Sequence, residues 1–270
     1  MKAIVWTALL CAVSAHAATF DVRAFGAKGD GKTLDRNSIN RAVEAAASAG
    51  GGTVAFPAGT YLTGSIRLRS NITLQIDAGA VIEASPDASA YDPAEPNEHT
   101  RFQDFGHSHW HNSLIWGEGL ENVSIVGVGL ISGAKGLTRG ERGQDKAIAL
   151  KLCRNVTLRD FSVLSGGHFA ILATGVDNLT IDNLRIDTNR DAIDIDSCRN
   201  VRISNVSANT PNDDAIVLKT GFALGVFRPT EHVTITNCLV SGYDIGSLLD
   251  GTFRRTVTRA PDRDGPTGRI

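Results

Sequence analysis

The feature that most constrains this chain is a recurring motif whose shortest steps are 22 and 23 residues. It reads NVSIVG from Asn122, NVTLRD from Asn155, NLTIDN from Asn178 and NVRISN from Asn200. HVTITN from His232 is a further copy, and NITLQI from Asn71 an early one. Asn155 and Asn178 are 23 residues apart, Asn178 and Asn200 are 22, and the next step, to His232, is 32. That last step fits one coil plus an inserted loop, TGFALGVFRP. Apolar and polar residues alternate within each copy, as they do along a half-buried strand. Short strands at a fixed period, turn asparagines and almost no helical pattern predict an all-β chain. The expected form is a parallel β-helix (solenoid) whose coils stack about 4.8 Å apart. A leucine-rich horseshoe has a similar period, but its L-x-x-L-x-L signature is missing. Several copies are also N-x-S/T sequons. Their recurrence in phase places an asparagine at the same turn of each coil, and glycosylation is not predicted.

The first part of the chain departs from this pattern. In DRNSINRAVEAAASAGGG, Ile39, Ala42, Val43, Ala46 and Ala47 form a helical stripe, with Asp35 as N-cap and Gly50 just past the end. An amphipathic helix there would cover the raw apolar end of a solenoid. Strands are expected next at GTVAFP and SIRLRSNITLQI. Ahead of the helix, Lys2, the apolar IVWTALLCAVSA and the Ala15-His16-Ala17 site read as a signal peptide over residues 1–17. The mature chain would then begin at Ala18, and the location would be secreted or periplasmic. Residues 18–270 read as a single solenoid domain. Its charged, loop-like end, TFRRTVTRAPDRDGPTGRI, supplies no closing strand and reads as C-terminally incomplete. A net charge of −2 lacks the basic excess of a nucleic-acid binder. No other segment is suited to cross a membrane, and a monomer is expected. Export leaves Cys153, Cys198 and Cys238, an odd number, each in or beside a strand-like segment. They read as buried thiols, because their spacing is not that of a metal site.

Aligning the coils gives columns. HFAIL (168–172), RDAID (190–194) and DDAIV (213–217) superimpose. Phe169, Asp191 and Asp214 form one column, and His168, Arg190 and Asp213 the next. Asp191 should therefore lie one strand spacing from Asp214, with Asp213 beside both. Three carboxylates this close cannot all ionise easily, so at least one pKa should rise. A raised carboxyl beside an ionised one is suited to general acid and base work. Two other readings stay open: a solvated Asx turn at PNDD, and a calcium site. Asp196 and Lys219, one period apart, are placed for a cross-coil ion pair, and Lys219 alternatively for an acidic sugar. QDFGHSHWHNSLIW (103–116) holds His107, His109, His111 and Trp110; no partner carboxylate spacing supports a metal site there, so the loop is expected to line a cleft, with Trp110 as a sugar platform, and a plain surface loop is the alternative.

NRDAIDIDSCRNV followed by NDDAIVLKTG resembles the paired signature of the polygalacturonase family of glycoside hydrolases, an N-T-D block with a D-D block one coil later. FGAKGDGKTLDRNSINRAVEAA and GGGTVAFPAGTYLTGSI are similar to its opening, which pectate-lyase-like β-helices share. The resemblance implies a right-handed parallel β-helix that hydrolyses α-glycosidic bonds of an acidic, pectin-type polysaccharide or oligosaccharide with inversion. It needs no cofactor and no metal. Carried over, Asp213 would be the general acid, and Asp191 and Asp214 would hold and activate water. Lys219, Arg190, His168, Asp244 and Trp110 are the expected substrate-binding groups. This chain departs from the pattern at Arg190, where the family has threonine. That arginine is placed either to bind a substrate carboxylate or to depress a nearby pKa. Asp244 stands roughly where the family has histidine, and the family's R-I-K motif has no full counterpart. A lyase, a uronate epimerase and a non-catalytic carbohydrate-binding β-helix are the alternatives.

Overall fold

The computed structural model describes residues 18–138 and 143–241. The expected signal peptide, the expected missing end coil and Asp244 lie outside the described residues. Within them the chain winds three parallel sheets into a right-handed β-helix. The first sheet has eight strands, from Thr19–Asp21 to Glu231–Thr236, and the second has eight, from Asp30–Leu34 to Leu239–Ser241. The third has six: Ile66–Arg67, Ile115–Glu118, Lys146–Lys151, Phe169–Thr174, Asp191–Asp196 and Ile216–Lys219. All the strand pairings are parallel.

Alternation puts one residue type on one level of the core. Val123, Val156, Leu179 and Val201 are register partners, as are Ile125, Leu158, Ile181 and Ile203, and all are buried. Burying each such side chain stabilises by about 1.5–3 kcal/mol. The repeated asparagines form a ladder just outside this core. Asn122 donates from Nδ2 to Asn71 Oδ1 at 2.8 Å, Asn155 to Asn122 at 2.9 Å, Asn178 to Asn155 at 3.0 Å and Asn200 to Asn178 at 3.2 Å. Each of these asparagines has φ between 56° and 63°. Asparagine tolerates that left-handed backbone better than other residues bearing a Cβ. The amide thus both permits the turn and joins adjacent coils.

The helix is Arg36–Ser48, and Ile39, Ala42, Val43 and Ala46 are its buried stripe. Asp35 precedes it but makes no side-chain cap. Its buried carboxylate instead accepts from the backbone N–H groups of Lys28 and Gly29, at 2.7 and 2.9 Å, tying the preceding turn to the helix. Cys153, Cys198 and Cys238 are free thiols, the first two buried. No described helix is long and apolar enough to cross a membrane.

Two insertions position the site. Between the strands Ala80–Ala84 and Ile115–Glu118, the chain leaves the coil and folds back as a strap across the outer face of the third sheet. Asn97 on the strap donates to the carbonyl of Ala223, and Gln103 Oε1 accepts from the N–H of Phe222. The strap therefore meets the loop inserted after Ile216–Lys219.

Candidate active site

The columns expected from the repeat are present. Phe169 pairs with Asp191, Ile171 with Ile193 and Ile193 with Ile216. Ala192 N–H donates to Asp214 O at 3.1 Å, in the same register. Asp191 is thus one coil from Asp214, at the start of its strand, and Asp213 is beside both. The Oδ1 atoms of Asp191 and Asp213 converge on one amide, the N–H of Asp214, at 3.3 and 3.2 Å. Asp191 is 4% exposed, whereas Asp213 and Asp214 face solvent. Burial, then the charges of Asp213 and Asp194, push the Asp191 carboxyl up to about 8. A hydrogen bond with Asp213 adds to the rise. One of the three carboxyls therefore carries a proton at neutral pH, and it is the buried one.

Arg190 binds Asp213: its Nη2 is 2.7 Å from Asp213 Oδ2, and the two side chains are 32% and 31% exposed. Its Nε is buried without a partner. Asn212 Nδ2 donates to Asn189 Oδ1 and joins the two signature blocks.

The structure corrects three expectations. Trp110 is no sugar platform. It is fully buried against Ala149, Phe169, Leu172 and Ala223, and its Nε1–H donates to Thr174 Oγ1 at 3.1 Å. It anchors the strap, which places it between the sheet and solvent. His168 is 2% exposed, edge-on to Phe169 and beneath Gly106 of the strap, so it is closed to substrate. Lys219 is a register partner of Asp196 but does not pair with it. Its Nζ lies 3.0 Å from Asp194 Oδ2 and 2.5 Å from His107 Nε2. Asp196 is occupied elsewhere, accepting from Ser197 Oγ and from the N–H of Gly221.

His107 and Asp194 belong to the site; the sequence places His107 only within a loop expected to line the cleft, without a partner, and assigns Asp194 no role. The strap delivers His107, whose Nδ1 is 2.6 Å from Asp104 Oδ2 and whose Nε2 is 3.0 Å from Asp194 Oδ2. Burial opposes the imidazolium, but the carboxylates of Asp104 and Asp194 outweigh it and raise the ring to about 9. Nδ1–H is committed to Asp104, so Nε2 donates to Asp194 in the charged ring and accepts from Lys219 in the neutral one. Burial likewise opposes the Lys219 ammonium, and Asp194 more than restores it. Asp194 has no exposed surface, and one of its oxygens, Oδ1, has no partner.

His107, Asp191 and Asp194 bring three potential ligand atoms within 4.8 Å of one another. The ammonium of Lys219 stands within hydrogen-bond reach of two of those residues and already supplies a positive charge there. Chemically, the site offers a carboxyl holding a proton, two open carboxylates and a guanidinium at the rim.

A family model described as rhamnogalacturonase A/epimerase, pectate lyase-like matches residues 19–163. The chain belongs to this family. The polygalacturonase-type resemblance holds across it. A grapevine (Vitis vinifera) protein described as "probable polygalacturonase" is 30% identical over 93% of this chain. An exo-poly-α-D-galacturonosidase of Dickeya chrysanthemi is 26% identical over 73% of this chain and 33% of its own length. The chain spans 55% of the grapevine relative's length. The solved exopolygalacturonase of Thermotoga maritima shares the family's fold, with a TM-score of 0.71 and 24% identity over 83% of this chain and 60% of that one.

Proposed function

We propose that this chain is an exported glycoside hydrolase that cleaves α-glycosidic bonds of an acidic, pectin-type polysaccharide with inversion. The observation that carries the reading is the set Asp191, Asp213 and Asp214, in register at an open edge, with one proton among three carboxyls. Asp213, at the rim, protonates the leaving oxygen. Asp191 and Asp214 hold and activate water on the other side of the sugar, and the open carboxylate of Asp214 accepts its proton. Two carboxyl groups flanking the bond are what inverting hydrolysis needs. The charge a divalent ion would bring to the acidic cluster is already present on Lys219, which favours hydrolysis over calcium-dependent elimination.

The strap favours attack at a chain end. One and two coils before Asp191, the outer face of the third sheet is sealed, with Leu172, Ala149 and Trp110 buried. A polymer has no groove to continue along in that direction. Two relatives named above are exo-acting by their descriptions, which supports the same reading.

The test is product release from polygalacturonate and rhamnogalacturonan in EDTA, following reducing ends and the ultraviolet absorbance of unsaturated sugars together. Reducing ends without unsaturation, released as monosaccharide and lost in Asp213→Asn, are expected. Unsaturated product that requires calcium would move the chain to the lyases. Ligand binding that survives substitution of all three aspartates would leave a carbohydrate-binding solenoid.

A further inference from the structure

We propose that Asn112, Asp145 and Lys146 react with one another: the Lys146 amine displaces ammonia from the Asn112 side chain, and the covalent amide that results staples the strap to the third sheet. The proposal is independent of the hydrolase reading above.

The three residues meet where the strap rejoins the coil. Asn112 lies two residues past Trp110, just before the strand Ile115–Glu118, and Lys146 opens the strand Lys146–Lys151. Asn112, Asp145 and Lys146 are all buried. One atom organises them. Asp145 Oδ1 accepts from Lys146 Nζ at 2.5 Å and from Asn112 Nδ2 at 3.2 Å. The amide nitrogen also donates to the carbonyl of Gly143, so two acceptors fix which end of the Asn112 amide faces Asp145. A nucleophile and a leaving group are therefore each one hydrogen bond from the same carboxyl. That is the placement a proton shuttle between them requires.

The polar atoms left over fit the same chemistry. Asn112 Oδ1 and Asp145 Oδ2 are both buried without a partner. Both are acceptors while Asp145 is ionised, and a proton on Asp145 turns one of them into a donor for the other. The surroundings push in that direction. Burial disfavours both ions, raising the Asp145 carboxyl to about 6 and lowering the Lys146 ammonium. The Lys146 side chain has no exposed surface, and its Nζ stands 6.0 Å from the centre of the Phe169 ring. The other carboxylates facing it are Glu95 and Asp104. Glu95 is held by the backbone N–H groups of Trp110 and His111, and Asp104 by His107. Passing one proton from Lys146 to Asp145 leaves both partners neutral, and a neutral buried amine is a nucleophile.

The reaction balances. Lys146 Nζ gives a proton to Asp145. Its lone pair bonds to Asn112 Cγ, and the carbonyl electrons move onto Oδ1. Asp145 passes its proton to Nδ2 and takes a second one from Nζ. The carbonyl re-forms, the Cγ–Nδ2 bond breaks and neutral ammonia leaves. Asp145 ends protonated beside a secondary amide, and no oxidant or outside reactant is needed. The bond would fix the strap that carries His107 to Asp194, a role no disulfide fills among the described residues.

Peptide mapping of the purified, folded chain tests this. Trypsin does not cut after an acylated lysine, so residues 102–135 should appear joined to residues 143–151, lighter than the two peptides together by one ammonia. Lys146→Met should release residues 102–135 unlinked. Asp145→Asn, which keeps the shape and removes the shuttle, should also leave the bond unformed. Recovery of residues 143–146 and 147–151 from wild type as separate peptides, with residues 102–135 at full mass, overturns the proposal. Loss of water in place of ammonia would put the bond on a carboxyl and overturns it too. A cross-link formed equally well in Asp145→Asn overturns the shuttle. The wild-type map alone decides whether the bond exists, so a variant that fails to fold leaves the test standing.

Discussion

Replacing Asp191 by asparagine should make the folded chain more stable, by an amount that grows with pH. In the folded chain the Asp191 carboxyl is pushed from 3.8 up to about 8. Between those values the folded state holds a proton that the unfolded state has released. Stability contributed by this group is therefore complete below the unfolded pKa and is lost as pH rises through the folded one. The slope is about 1.4 kcal/mol per pH unit, so the full shift corresponds to roughly 4 kcal/mol at pH 7. The charges of Asp213 and Asp194 both act on this carboxyl, so about 2–4 kcal/mol is the working expectation. Asparagine has nearly the same shape and no charge to bury. Urea unfolding of wild type and Asp191→Asn, from about pH 5 to about pH 8, measures the effect. The midpoints should diverge steadily, with the variant the more stable at high pH and inactive throughout. Midpoints that stay parallel across the range would refute the assignment of the proton to Asp191.

Lys219→Met should leave buried Asp194 with His107 as its remaining cationic partner, costing about 1–3 kcal/mol at neutral pH and less in acid, as read from thermal melts. Gly106→Val should lift the strap, because a Cβ there meets Phe169 Cε2 at 3.0 Å and His168 Cδ2 at 3.1 Å, both on buried side chains. Its signature is a red-shifted tryptophan emission as Trp110 reaches water, together with a lost preference for chain ends. Asn178→Ala removes two links of the amide ladder and puts a non-asparagine residue at φ 57°, which should lower stability by about 2 kcal/mol in the same urea assay.

The solenoid and its aspartate column were legible because stacking is periodic. A step of 22 or 23 residues fixes which side chains are neighbours, and no other interaction has to be known. The strap was not legible for the same reason: it interrupts the repeat between Asn71 and Asn122, and nothing periodic says where it returns. Trp110 and the histidines beside it look like an exposed polar loop in sequence. Only the closed third sheet shows that the indole is core and that His107 reaches Asp194. Lys219 teaches a narrower lesson. Register places it opposite Asp196, yet a long side chain also reaches the diagonal neighbour. Asp194 wins because Asp196 is already satisfied by Ser197 and Gly221. Arg190 was readable as a departure with two roles, substrate binding or pKa control. Its contact with Asp213 is a fact of geometry that spacing could not supply.

The amide ladder also bears on how the chain can be made. Asn71, Asn122, Asn155 and Asn178 each begin an N-x-S/T sequence, and in the folded coil each amide is spoken for by its neighbours. A cell that attaches glycans as a chain enters its secretory pathway meets those asparagines before any coil has stacked. A sugar on Asn155 would then stand where the amides of Asn122 and Asn178 must close, and winding would stall at that coil. The same four residues that knit the finished solenoid make it ill suited to a host that glycosylates nascent chains, and well suited to one that does not.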